Sequence, residues 1–141
     1  MRVKARGLIW IDGRLIVADQ PRRGRRDLSL PGGRVNAQES IFKALRREVS
    51  EETGIDVEPV RLVYVSEVVE SVLNRDLELI FLCDPRGVPR LRGFRSIDVQ
   101  AGERLPIRPP ILDLIARDAA SGWQDTPRWL GSVKGRRETD E

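Results

Sequence analysis

Apolar and polar positions along this chain alternate in short runs, broken by one long stretch of helical period and one shorter one. Val3 to Ile11 reads as a strand, Asp12-Gly13 as a two-residue hairpin turn, and Arg14 to Asp19 as the returning strand. Gln20 to Asp27, dense in arginine and turn formers, reads as a loop. Leu28 to Val35 is a short extended piece interrupted by Pro31-Gly32-Gly33. A helix is expected from near Asn36, which has capping-box spacing to Glu39, and Gly54 is suited to end it. Val57 to Val69 and Leu77 to Cys83 alternate or run apolar and are expected as strands. Arg86 to Arg95 is a loop rich in Gly, Pro and Arg. Pro109-Pro110 opens a second helix over Ile111 to Ala119, with Ile111, Leu114 and Ile115 on one face. This order is that of an α/β domain. One domain is expected over residues 1–130, followed by a charged, mobile tail over 131–141.

The long helix carries an anomaly. At about 100° per residue, Ile41, Ala44, Leu45 and Val49 share one side, while Lys43, Arg46, Arg47 and Ser50 lie opposite. Glu48, Glu51 and Glu52 do not join the polar side. They continue the apolar stripe, within an arc of roughly 160°. Like charges three and four residues apart repel by a few tenths of a kcal/mol per pair. They also crowd the last turn, where the helix dipole favours cations, and desolvating one without a partner costs several kcal/mol more. A divalent cation relieves all three penalties. Carboxylates with no His or Cys beside them suit Mg2+ or Mn2+ better than zinc. The stripe alone leaves a solvated, charged helix end as the alternative.

Composition narrows the chemistry. At 141 residues and 40% hydrophobic, the chain is long and apolar enough for one real core. It has no histidine, which excludes Ser-His-Asp triads, Cys-His pairs and histidine metal sites. Proton transfer near neutral pH then falls to carboxylates, Lys, Tyr or metal-bound water. The single cysteine, Cys83, lies in the apolar run IFLC and is expected as a buried structural thiol. No run of 18 apolar residues is present, and the start, MRVKARGLIW, lacks a signal peptide's apolar core, so a cytoplasmic protein without a membrane anchor is expected. A net charge of +3 is too small to point to nucleic acid by itself, although 22 of the 25 basic residues are arginine.

The decisive pattern is a spacing: Gly33, five residues, Glu39, seven residues, Arg47-Glu48, Val49, Ser50, Glu51-Glu52, Thr53, Gly54, Ile55. Every fixed position of the Nudix box is there, and the chain resembles a Nudix hydrolase. The resemblance is strict from Gly33 to Ile55 and extends loosely through roughly the first 110 residues. It implies an α/β/α sandwich with a mixed sheet, and hydrolysis of a phosphoanhydride in a nucleoside diphosphate derivative by metal-activated water. By residue, it implies that Glu48, Glu51 and Glu52 hold Mg2+ or Mn2+, helped by the Gly33 carbonyl. It implies that Glu39 folds back onto Arg47 as a bracing ion pair. Glu51 and Glu52 are both open as the base, and the family also draws its base from outside the box. Here Glu78, on a face with Ile80 and Leu82, and Glu67, with Val63, Val65 and Val69, are the candidates. The loop RGVPRLRGFRS offers arginines where some members carry an acid, and Leu28 replaces a frequent aromatic. Arg22, Arg23, Arg25 and Arg26 form the densest basic cluster, suited to distal phosphates or RNA if not simply solvated. Trp10, Tyr64, Phe94, Trp123 and Trp129 are candidates to stack a base, and equally core residues. A small nucleotide is the expected partner, with no membrane. A silent nucleotide-binding regulator and a hydrolase of RNA 5′ ends are the alternatives, and a homodimer is compatible with the family.

Overall fold

The computed structural model describes residues 1–87 and 93–134. β1 (Arg2–Ile11) turns through Asp12 and Gly13, at φ 52° and 75°, into β2 (Arg14–Arg22). Left-handed conformations at both turn residues match the twist of the flanking strands. The stretch expected as a loop over Gln20–Asp27 is a second hairpin: β2 runs on past Asp19, and Arg23-Gly24 turns it into β3 (Arg25–Ser29). Backbone pairing and a cross-strand ion pair, Arg26 Nη2 to Asp19 Oδ2 at 2.9 Å, hold this hairpin without an apolar pattern to announce it.

β4 (Gly32–Arg34) lies antiparallel against β1, with Arg6 opposite Gly32 and Ala5 opposite Gly33. α1 (Ile41–Thr53) begins four residues later than Asn36 would place it. Its N-cap is Ser40, whose Oγ accepts the Lys43 N–H at 3.2 Å. Asn36 and Glu39 instead close a turn before the helix, the Glu39 carboxylate accepting the Asn36 N–H at 3.0 Å. Gly54, at φ 71°, ends α1 as expected. β5 (Asp56–Val69) and β6 (Arg75–Arg86) form a long antiparallel pair. Of the expected loop Arg86 to Arg95, residues 88–92 lie outside the described residues, and Phe94 and Arg95 already belong to β7 (Phe94–Ile97). β8 (Ile107–Arg108) precedes α2 (Leu112–Ala120), and β9 (Arg128–Lys134) pairs in parallel with β5. Gly131 to Lys134 are therefore sheet rather than tail, because β5 offers them a ladder of backbone partners. Residues 135–141 of that tail lie outside the described residues.

The strands make one mixed sheet in the order β8-β3-β2-β1-β6-β5-β9, with β4 on β1 and β7 on β2. Each face carries its own core. Ala5, Ile9, Ile16, Phe81 and Cys83 pack with Leu45 and Val49 of α1. Leu8, Val17, Leu28, Ile80 and Ile97 pack with Ile111, Leu112 and Ile115 at α2. Alternation along β1 and β6 sends neighbours to opposite faces, and one helix covers each, so the fold is an α/β/α sandwich. Among the described residues no helix is long and apolar enough to cross a membrane.

α2 is stapled through a buried carboxylate. Asp118 accepts the Tyr64 hydroxyl at 2.8 Å and the Arg128 guanidinium at 3.0 and 3.3 Å, joining α2 to β5 and β9. Burial and the Asp118 charge push the Tyr64 hydroxyl well above its ordinary pKa. Asp118→Ala leaves both partners without their acceptor and should cost about 3 kcal/mol, the lower range for a broken buried pair because Arg128 is partly solvated. Tyr64→Phe should cost about 1 kcal/mol. Urea unfolding at neutral pH measures both.

Candidate active site

The site begins with a turn that only glycine fits. Gly32 sits at φ 141°, and a Cβ there would lie 2.1 Å from the Ala5 carbonyl oxygen, a backbone atom that cannot move aside. At Gly33 a Cβ would lie 2.6 Å from Cδ and 2.7 Å from Oε2 of Glu48, so the bare backbone lets that carboxylate press against β4. The next turn of α1 brings Glu52 to the same strand. Its Oε2 accepts the Gly32 N–H at 3.3 Å. Thr53, fully buried, closes the helix behind it: its hydroxyl donates to the Val49 carbonyl at 2.7 Å and accepts from Ile55 N–H at 3.2 Å.

Glu39 and Arg47 meet although eight residues apart. The loop before α1 folds back, and Arg47 Nε and Nη2 each donate to a Glu39 oxygen at 2.7 Å. Nη2 also reaches the Arg34 carbonyl at 3.3 Å, tying α1 to the end of β4. Nη1 donates to Glu48 Oε1 at 2.9 Å and Glu51 Oε2 at 3.4 Å. One guanidinium thus spans three carboxylates. The Arg47 bonds hold the Glu39 carboxyl down at about 2, and the Glu39 and Glu48 bonds raise Arg47 above its ordinary value.

Glu52 is left out of that arrangement. Burial pushes its carboxyl up to about 7; the Gly32 N–H and the Arg6 charge pull it down, while Glu48 and Glu51 add to the rise. Among the described residues no three Asp, Glu, Cys or His side chains are gathered closely enough to hold a metal ion as they stand. The chemistry of the donors nonetheless fits a hard dication: carboxylate oxygens, one of them short of compensation, beside a bare glycine backbone. Glu51 is the most exposed of the three, Glu48 partly covered.

The two acids outside α1 go elsewhere. Glu78, buried on the face of Ile80 and Leu82, is committed to an ion pair with Arg6, whose Nη1 also donates to the Leu30 carbonyl at 2.9 Å. Glu67 accepts the Ser132 hydroxyl at 3.1 Å and lies 3.7 Å from Arg75. Arg6 was hidden from sequence reading inside an apolar strand. The available signal was parity: Lys4, Arg6 and Leu8 share one face of β1, and a cation beside core leucine needs a buried partner. The aromatics are mostly core. Trp123 makes edge contacts with Trp10 at 5.8 Å and Tyr64 at 6.1 Å, Phe94 packs on the α1-side core, and Trp129 alone of the five is largely exposed. Leu28 is buried in the α2-side core rather than lining an open pocket.

Comparison with known proteins bears on the fold and the family. Stretches of the chain are similar to proteins named 8-oxo-dGDP phosphatase NUDT18, from Danio rerio (45% identity over 58 residues, 41% of this chain) and Homo sapiens (37% over 73 residues, 52% of this chain). The matches span only 17% and 21% of those relatives' lengths. The fold is similar to that of a mutator MutT protein from Bacillus halodurans, with a TM-score of 0.71 at 19% identity over 95% of this chain and 90% of that one. An ADP-ribose pyrophosphatase from Streptococcus suis gives a TM-score of 0.69 at 18% identity over 93% and 98%. The family model of the NUDIX domain matches residues 1–106. Matched over most of its length and folded as that family folds, this chain belongs to the NUDIX family.

Proposed function

We propose that the domain hydrolyses a phosphoanhydride bond in a nucleoside diphosphate derivative, using Mg2+ or Mn2+ held by Glu48, Glu51, Glu52 and the Gly33 carbonyl. The observation that carries this reading is the charge at the end of α1. Arg47 bridges Glu39, Glu48 and Glu51, and burial leaves Glu52 undercompensated at about 7. Bare, such a site repels the phosphates of a nucleotide. A divalent cation held by these residues would reverse the local field and would supply the acidity that turns a water into a nucleophile.

The chain's own residues divide the remaining work. Glu52, buried and fixed by the Gly32 N–H, is our candidate to accept the proton of the attacking water. Glu51, exposed and already on Arg47, and Glu48, against Gly33, would hold the ion together with Glu52. Glu39 and Arg47 keep α1 in register with β4 and stay out of the chemistry. Glu78 and Glu67, each beside a cation, are left as structural partners rather than bases. The substrate panel begins with nucleoside di- and triphosphates, oxidised and unoxidised, since the similar vertebrate proteins are named for 8-oxo-dGDP. The buried Cys83 thiol suits a reducing compartment, and we place the reaction in the cytoplasm.

Phosphate release should require Mg2+ or Mn2+ and fall at least about 100-fold in Glu52→Gln, the range of a lost proton-transfer group. A panel that includes nucleotide sugars, ADP-ribose and a triphosphorylated RNA reads the substrate class. No turnover on any of them, with nucleotide binding intact, would mark a regulator.

Glu52 also sets a pH dependence. Its folded pKa of about 7 lies above the ordinary 4.5, so the folded chain keeps a proton that the unfolded chain gives up. In chelator, stability from this group is complete below about 4.5 and is lost as pH rises through 7. Urea midpoints between pH 4.5 and 8 should show that decline in wild type and a flatter profile in Glu52→Gln. Adding Mg2+ should restore stability to wild type on the alkaline side.

A further inference from the structure

Pro31, Gly32 and Gly33 form a turn with little means of holding itself, since two of its residues carry no side chain to pack. The site depends on it all the same: the Gly32 N–H binds Glu52, and Gly33 lies bare against Glu48. β1 supplies the hold. Ala5 and Arg6 lie opposite Gly33 and Gly32, the Gly7 N–H donates to the Pro31 carbonyl at 2.8 Å, and Arg6 Nη1 donates to the Leu30 carbonyl at 2.9 Å. Resting on the reading of this turn and α1 as the metal site, we propose that Arg6, fixed by Glu78, is a positioning residue. It holds the turn where the glycine backbone and the α1 carboxylates can share an ion.

Stability alone does not account for the pair. Arg6 and Glu78 are only 6% and 2% exposed, on the sheet face that carries Leu8 and Ile80. Desolvating two charges consumes most of what their attraction returns, and apolar side chains of similar volume would join β1 to β6 as well. Such side chains could not grip a carbonyl. The guanidinium fork does two things at once, Nε donating to Glu78 and Nη1 to Leu30. On the β1–β6 ladder Glu78 is opposite Lys4 and Arg6 opposite Ile80, so the pair reaches diagonally across the two strands. Glu78 thereby fixes the direction in which the fork points.

Leu30 is tied on its other side too, its N–H donating to the Arg108 carbonyl at 3.1 Å. With both backbone groups of Leu30 held, the glycines that follow start from a fixed point. Losing the Arg6 bond frees one end of a turn whose glycines have the widest backbone freedom of any residue. A shift of about 1 Å there is enough to spoil the placement of a ligand atom. The same guanidinium also acts on Glu52 by its charge.

Arg6→Met alone leaves Glu78 buried without its partner and destabilises the fold, so it does not isolate position. Arg6→Met combined with Glu78→Met removes the pair and keeps the volume, and its urea midpoint should equal or exceed that of wild type. In chelator, hydrogen exchange at the Gly32 and Gly33 amides should nevertheless be about tenfold faster, with the Leu8 and Ile80 amides unchanged. Mn2+ alone, titrated by electron paramagnetic resonance, should bind about tenfold more weakly. Arg2→Met, which loses an ion pair to Asp76 on the same two strands, should leave exchange and Mn2+ affinity at their wild-type values. Wild-type exchange and Mn2+ affinity in the folded double variant would overturn the proposal, as would a fall in midpoint that carries both with it. A wild type that binds no Mn2+ would remove the metal reading, while exchange at Gly32 and Gly33 still decides whether Arg6 holds the turn.

Discussion

Carboxylates packed against bare glycine backbone are the constraint on which this site rests. Glu48 lies against Gly33 where a Cβ would meet it, and Glu52 accepts the Gly32 N–H at 3.3 Å. Repulsion among neighbouring glutamates at the negative end of a helix opposes that arrangement. Arg47 offsets part of it, reaching forward to Glu48 and Glu51 and back to Glu39. The rest of the frame keeps α1 and β4 at this distance. Leu45 and Val49 anchor the helix in one core, and Thr53 and Gly54 seal its end.

Charge continues through the sheet rather than stopping at α1. Gly32 is opposite Arg6, and Arg6 joins Leu30 to Glu78, so the glycine turn is gripped from both sides. The chain belongs to the NUDIX family, and its fold is similar to that of solved structures such as the mutator MutT protein from Bacillus halodurans. Beyond the turn stand further charged side chains, Lys4, Glu70 and Arg108 among them.

Much of this was legible in the sequence because local signals and tertiary need coincide. The hairpin at Asp12-Gly13, the long strands, α1 with its Gly54 stop and the misplaced glutamates all follow from period and turn chemistry. The meeting of Glu39 with Arg47 came only from the family resemblance, since helical spacing of eight residues would keep them apart. Other features lacked a local signal. Ser40 outcompeted Asn36 as cap because its hydroxyl reaches the Lys43 amide, a difference of one turn that spacing does not resolve. The arginine-rich β2–β3 hairpin has no apolar alternation, and β9 is a strand because β5 pairs with it. The Arg6–Glu78 pair joins residues 72 apart in sequence, visible only once β1 and β6 lie side by side.

The central claim is that the Gly32-Gly33 turn and the end of α1 form a divalent-cation site. Paramagnetic broadening by substoichiometric Mn2+ reads it most directly, amide by amide, without substrate. The amide signals of Gly32, Gly33 and residues 48–52 should broaden first, while those of Gly13 and Gly122, at distant turns, stay sharp. Uniform broadening, or broadening centred on another acidic cluster such as Asp98 and Glu103, would contradict it.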